Sequence, residues 1–503
     1  MGTFLHKFVE AVKATEPIMW KVGDVQYTSR VHVICCCVDA PARAAVLNSV
    51  QFNGAFGCPW CLHKGERLEG SNRYTVPGQA PERTPKGVLR DAELALKFRM
   101  PVNGIKGPSR LAELPNFNVV WGFTVDYMHC VLLGVTRQVT EQIFSPSHSR
   151  ESYYIGTPTV LKQIDGRLLS IRPPHCFTRL PRSLLERAYW KANEWRSWLL
   201  FYCLPCTYGI LPQRYWSHLR NLVEAIYILL GAEISSSLLN RAEFLLQHFV
   251  TNAQQLYGKV FMTFNIHQLQ HITNSVRNLG PLWAHSAFVF EGGNGRLMKC
   301  VTAAKGVCLQ VLERVAMGQE LDCVLAQLPL PSHIRALCEG MLGYPRLKHA
   351  LYVGEVCVLG SAKSLCIYGT DLHSALTRHL GASPACVAVY QRMIIRGQVF
   401  HPEDYTRAVK SNSSVLRTRD DAYYVLKKIV EVRINGERQI LLLCKIVAVE
   451  ERTHFPPHIK RCTMPTTAAA LQVVLPAAVR TVCLIMQCGD TYISCVPNAV
   501  EKD

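Results

Sequence analysis

Two pairs of metal-ligating side chains sit far apart in this chain, a Cys-x-x-Cys at Cys58 and Cys61 and a His-x-x-x-His at His267 and His271. If both pairs hold one ion, the intervening chain must leave the site and return to it, which restricts the fold more than any local pattern does. Cys-x-x-Cys alone reads as a zinc half-site, a redox pair or a coincidence. In Gly57-Cys58-Pro59-Trp60-Cys61 the thiols sit in a turn after a helical segment, where two thiolates can converge on an ion. Histidines at i and i+4 project from one face of a helix, which is what a second half-site needs. A tetrahedral Cys2His2 zinc would then act as a structural clamp. Thiol redox chemistry at Cys58 and Cys61 lacks a thioredoxin-like βαβ setting. Cys203 and Cys206 share the spacing but lie in an apolar helical run and read as packing.

Two carboxylates accompany these pairs. Asp39 ends the run at residues 31–38, which is β-branched and apolar on both faces, as expected of a strand buried inside a sheet. Asp39-Ala40-Pro41-Ala42-Arg43 then opens a helix that runs to about residue 50, where a strand-to-helix junction is a common place for functional groups. Glu291 follows the histidines at the start of another expected helix. Each acid also has a plain structural reading, Asp39 as an N-cap contributing about 1 kcal/mol and Glu291 as an acid favoured by the helix dipole. Together with the four soft ligands they suggest one folded site, with zinc as the clamp and the acids as ligands of a catalytic metal.

The chain has 503 residues, 49% hydrophobic and 18% charged, which excludes a disordered chain and allows several domains. Its 21 cysteines fall largely inside apolar runs, and no secretory signal pattern is visible, so reduced buried thiols fit better than a disulfide scaffold. The longest uncharged stretch, residues 197–213, is broken by Pro205 and Pro212 and is too short for a membrane span. Fifty-five Lys and Arg against 37 acids give a net charge of +18, a field that favours phosphate backbones.

Organisation follows from periodicity. Residues 64–115 are rich in Gly, Pro and Arg and read as an irregular connection. Residues 119–260 carry helical spacing, and an apolar stripe through Ile266, Leu269, Ile272, Val276 and Leu279 predicts one helix ended by Gly280-Pro281. Trp190, Trp195 and Trp198 fall at helical spacing and read as core. After about residue 335 the pattern changes to strands with turns such as Asn435-Gly436, which predicts a separate small β barrel.

Taken together, Asp39-Ala40-Pro41-Ala42-Arg43, Gln51-Phe52-Asn53-Gly54 with the cysteine pair, Asp126-Tyr127-Met128-His129-Cys130, Met262-Thr263-Phe264-Asn265-Ile266-His267 and Ser286-Ala287-Phe288-Val289-Phe290-Glu291 resemble the CACTA (En/Spm-like) DNA transposases. These belong to a wider group with the Transib elements and the antigen-receptor recombinase. The resemblance covers roughly residues 1–335. It implies an α/β fold: an RNase H-like core interrupted by a large all-α insertion, followed by the small β-barrel-like C-terminal domain. The implied domains are a truncated core portion at 1–65, the connection and helical insertion at 66–260, the rest of the core at 261–335, a linker at 336–384 and the β-rich domain at 385–503. By position, Asp39 corresponds to the second Asp and Glu291 to the Glu of a DDE triad, both holding catalytic Mg or Mn. Cys58, Cys61, His267 and His271 correspond to the structural zinc ligands. Asp126 and His129 belong to a family motif, for which helix capping or packing is the expected role.

One departure from the family pattern bears on activity. The family's first Asp lies on the first core strand, and the one aspartate before Asp39 is Asp24, in the turn-like Val22-Gly23-Asp24-Val25. The chain is therefore expected to lack the first strand and first metal ligand, and to be a transposase-derived DNA-binding protein with a defective nuclease centre. The competing expectation is a domesticated, non-catalytic, zinc-stabilised protein that binds chromatin or protein partners. Expected partners are DNA, through residues including Arg43, Arg73, Arg83, Lys86 and Lys106, and a second copy or a full-length transposase. The expected location is the nucleus, with no membrane association.

Overall fold

The computed structural model describes residues 2–501, apart from 77–79, 344–346, 348, 383, 385, 408, 435 and 451–453. Amphipathic α1 (Gly2–Lys13) leads into an exposed hairpin of β1 (Ile18–Val22) and β2 (Val25–Ser29), with Asp24 in its turn. The expected buried strand at 31–38 is not one. It is extended but makes a single parallel bridge, Cys36 to Phe123, through Cys36 N–H to Gly122 O at 2.7 Å. Partnered on one side only among the described residues, it leaves Val31 and Ile34 exposed.

Asp39 caps α2 (Ala40–Leu47), accepting from Ala42 N–H at 2.8 Å, and Asn48 ends the helix in the left-handed region. The stretch read as irregular contains a hairpin, β3 (Glu66–Leu68) and β4 (Ser71–Arg73), and a 14-residue helix, α3 (Pro85–Phe98), with Thr84 as N-cap.

Helices then dominate, as expected. A π-helical stretch, Met128–Thr136, runs into α4 (Arg137–Phe144), followed by α5 (Pro158–Ser170), α6 (Ala192–Ser197), α7 (Cys203–Thr207), α8 (Gln213–Leu229) and α9 (Ser236–Tyr257). The three tryptophans and the Cys203–Cys206 pair are buried in this block, as core and packing. No helix among the described residues is long and apolar enough to cross a membrane.

The stripe at 266–279 is two helices, α10 (Phe264–Gln268) and α11 (Ile272–Leu279), with His271 at the break as the N-cap residue of α11. Beyond them, α12 (Phe288–Lys299), α13 (Val307–Gln327) and α14 (Ser332–Met341) bury no residue. Segment 336–384, expected as a linker, carries β5 (Ala350–Val353), β6 (Val356–Leu359), β7 (Lys363–Cys366) and α15 (Asp371–Leu380).

The C-terminal strands form open antiparallel sheets, and the expected barrel does not close. The longest path begins at Ala448–Val449 and ends at Gln472–Val474, and these end strands do not pair with each other. Strand Tyr423–Ile434 has neighbours along both edges, and a register shift between Leu426 and Lys428 bends it. Nor is this region separate. Phe455, Ile459, Leu484, Met486, Cys488 and Tyr492 share one hydrophobic core with α5 to α9. Tyr227 stacks on His458 at 3.7 Å, and Glu501 in the tail pairs with Arg196 at 3.1 Å and accepts from the Tyr127 hydroxyl. Asn435 of the expected turn lies outside the described residues; the strands on either side pair Ile434 with Glu437.

Candidate metal centre and the adjoining carboxylates

The four expected zinc ligands meet. Cys58 and Cys61 from the turn after α2 face His267 of α10 and His271 at the head of α11, all buried, with ligand atoms within 4.8 Å of one another. His271 Nε2 lies 3.6 Å from Cys58 Sγ, His267 Nε2 lies 3.3 Å from Cys61 Sγ, and the two Nε2 atoms are 3.3 Å apart. A zinc tetrahedron with Zn–S of about 2.3 Å and Zn–N of about 2.0 Å has edges of about 3.3–3.8 Å, so the donor set fits that ion in kind and these three separations match its edges. Burial holds His267 down to about 4, leaving a neutral imidazole able to ligate. Burial pushes the Cys58 thiol up, but hydrogen bonds from Cys61 and from the Trp60 and Cys61 backbone outweigh it and hold the thiol below its ordinary value. Cys61 is raised by the Cys58 hydrogen bond and by burial.

Two buried arginines build the cysteine turn. Arg83 donates from Nε to the carbonyls of Cys58 (2.9 Å) and Cys61 (3.2 Å), and from one Nη to those of Phe56 (2.9 Å) and Asn103 (2.7 Å). Arg43 lies over the Trp60 ring at 4.5 Å and donates to Thr124 O and Gln268 Oε1, tying α2 to α10. Both were expected to contact DNA; both are interior struts instead, because each guanidinium satisfies backbone or amide oxygens that burial would otherwise leave unpaired. Gly57 is required at the turn, since a Cβ there would sit 2.4 Å from Gln51 O. Tyr74 stacks on His267 at 4.6 Å and closes the site from the side.

The carboxylates lie on a different face. Asp126, buried, accepts from His129 N–H at 3.1 Å, the capping role expected of it, and pairs with His129 Nδ1 at 2.6 Å. Its other oxygen accepts from Ala287 N–H at 2.8 Å, at the head of the helix that carries Glu291. The His129 imidazole is raised above its ordinary value by the Asp126 hydrogen bond, with the charges of Asp126, Asp39 and Glu291 adding to it. Asp39 and His129 line a common cavity of about 580 Å³. Asp39 is half-buried and Glu291 exposed.

Among the described residues, the thiol–imidazole group is the one set of three or more His, Cys, Asp or Glu gathered closely enough to hold an ion; Asp39 and Glu291 belong to no such set. The residues present therefore do not by themselves fit a two-ion carboxylate centre. Arg83 and His129 were missed as site-building residues. The i, i+3 spacing of Asp126 and His129 was the available signal for the second; nothing in the sequence marks Arg83 as buried. No protein-family model matches this chain, and no curated protein matches it in sequence.

Proposed function

We propose that this chain is a transposase-derived, DNA-binding protein of the DDE type, whose RNase H-like core is clamped by zinc and whose nuclease centre is incomplete. The observation that carries this reading is geometric: Asp39 and His129 line one cavity, and Asp126 binds both His129 and the head of the helix that carries Glu291, beside a Cys2His2 cluster. That is the arrangement the resemblance of the motifs calls for, and the parallel bridge from Cys36 to Phe123 is the kind of pairing such a core builds on. Zinc would be held by Cys58, Cys61, His267 and His271 and would supply structural closure rather than reactivity.

At the other face, this chain's own residues bind and orient. His129, held by Asp126, offers a donor to a phosphodiester in the cavity that Asp39 also lines. Two-metal chemistry on a phosphodiester uses more carboxylate ligands than Asp39 and Glu291. DNA is the partner, the nucleus the location, and a second copy or a full-length transposase the candidate protein partner.

The test is labelled duplex DNA with purified protein in Mg²⁺ or Mn²⁺. Binding that weakens steeply with salt, without nicking, is expected. Absence of binding at low salt contradicts the reading. Nicking that Glu291→Ala abolishes would make the centre competent and overturn its incompleteness.

The second reading, a non-catalytic zinc-stabilised protein that binds chromatin or protein partners, is favoured by a different observation. Helices α12 to α14 bury nothing and expose apolar side chains such as Phe290, Met298, Leu312 and Met317, a surface suited to protein contact.

A further inference from the structure

The cavity that holds Asp39 and His129 is walled on another side by the β3–β4 hairpin. Arg67, Asn72 and Arg73 line it together with the two site residues. The hairpin pairs Glu66 with Arg73 and Arg67 with Asn72, so the two guanidiniums come from neighbouring rungs. Arg67 is exposed, and Arg73 is half-buried with a buried Nε that no group satisfies. Among the described residues neither makes an ion pair. Other exposed arginines of this chain, such as Arg110 and Arg461, are paired with carboxylates. Two arginines without an ion-pair partner among the described residues, lining a cavity whose one acidic residue is Asp39, form a site suited to phosphate oxygens, which a planar fork of donors grips better than an ammonium does.

The hairpin is also held in position. Asn72 Nδ2 donates to Gly54 O at 3.0 Å, Thr75 Oγ1 donates to Glu66 Oε2 at 3.0 Å, and Lys259 pairs with Glu66 at 3.6 Å. Gly65 N–H donates to His63 Nδ1 at 3.0 Å, and His63 Nε2 contacts Thr75 O at 3.2 Å. Gly65 has φ +80° and lies directly against the Asn72 carboxamide, so a Cβ there would come within 2.2 Å of it. Phe52 and Phe264, stacked with centroids 5.5 Å apart, line the same cavity, and Phe52 is 37% exposed. An arginine arm fixed in place beside an open aromatic face is the combination that grips a nucleic-acid backbone while a sugar or base packs alongside.

We propose that the hairpin at residues 66–73 is a phosphate-binding arm, in which Arg67 and Arg73 hold the backbone of a DNA strand and lay it across the cavity toward Asp39 and His129. This rests on the DNA-binding reading above and adds the residues that receive the strand. The arm emerges from the cysteine turn through Leu62 and His63, so the same turn that supplies two metal ligands also positions the arginines.

Fluorescence anisotropy of a labelled duplex over a range of KCl tests it. The full chain is compared with Arg67→Glu/Arg73→Glu and with Lys363→Glu/Arg378→Glu, an equal charge change at exposed positions of the C-terminal region. The arm variant is expected to lose at least tenfold in affinity, and its log K against log salt slope is expected to flatten by about 2, one unit per lost phosphate contact. The control variant should stay within about threefold of the unaltered chain. Arg67→Gln/Arg73→Gln, which removes charge without adding any, should flatten the slope in the same way if the Glu pair fails to fold.

If the unaltered chain binds and both arm variants keep its affinity and slope, the arm is overturned and the DNA-binding reading survives. If the unaltered chain shows no salt-dependent binding, both fall together. Inorganic phosphate binding by calorimetry as tightly as the duplex does would reassign the arginines to a small anion and overturn the strand assignment.

Discussion

The thiol–imidazole cluster and the carboxylate face lie in the same part of the fold and are built on opposite principles. At the cluster, four buried donors converge from three elements, the buried Arg83 satisfies the carbonyls of the turn that presents two of them, and Arg43 ties α2 to α10. At the face, Asp39 is spent partly on capping α2 and lines a cavity with His129, while Glu291 stands exposed on a helix that buries nothing and whose head is bonded to Asp126. A buried donor set can hold distant chain segments together. An open set with unsatisfied capacity can hold a ligand. On the proposed reading, the first region serves stability and the second binding.

Mutation should separate the two regions by magnitude. Cys58→Ser should have the largest effect, a loss of about 4 kcal/mol or more in unfolding free energy together with loss of bound metal, read by denaturation and elemental analysis. An equal loss on Glu291→Ala would erase the distinction. Arg83→Ala should come next at about 3 kcal/mol, since four backbone carbonyls lose their donor, and chemical denaturation measures it. Arg83→Lys should recover only part, because one ammonium cannot reach all four oxygens.

On the carboxylate side the effects shrink. His129 is raised from 6.5 in the folded protein, so its contribution to stability is full below the unfolded value and is lost as pH rises through the folded value. Asp126→Asn should lower the His129 titration midpoint measured by NMR and remove that segment of pH dependence. Asp39→Ala should cost about 1 kcal/mol through the lost cap. Glu291→Ala should change stability by less than about 0.5 kcal/mol while still lowering the His129 midpoint slightly. A midpoint indifferent to Glu291 would separate that acid from the site.

What the sequence made legible follows the range of the interactions involved. Each ligand pair is a local pattern, so Cys58 with Cys61 and His267 with His271 could be found by spacing alone, and their meeting could be posed as a question. The break before α11 was hidden because the apolar stripe runs on from Ile266 in α10 through Leu269 in the break to Ile272 in α11. Residues 31–38 have the composition of a central strand, but strand formation needs neighbours, and among the described residues Phe123 is the single one. Helix α3 was obscured by the Gly and Pro around it, although Thr84-Pro85 is a good helix start. Arg43 and Arg83 looked like surface charge because nothing local reveals that a guanidinium will meet buried carbonyls. The C-terminal strands were legible from alternation; whether their sheet closes depends on pairing between distant ends, which alternation does not encode.

Metal analysis of the purified chain bears most directly on the clamp. The account predicts one zinc per chain, lost in Cys58→Ser and in His271→Ala along with cooperative unfolding of the helical core. A chain that contains no zinc, binds none when it is supplied, and unfolds unchanged in both variants would contradict it.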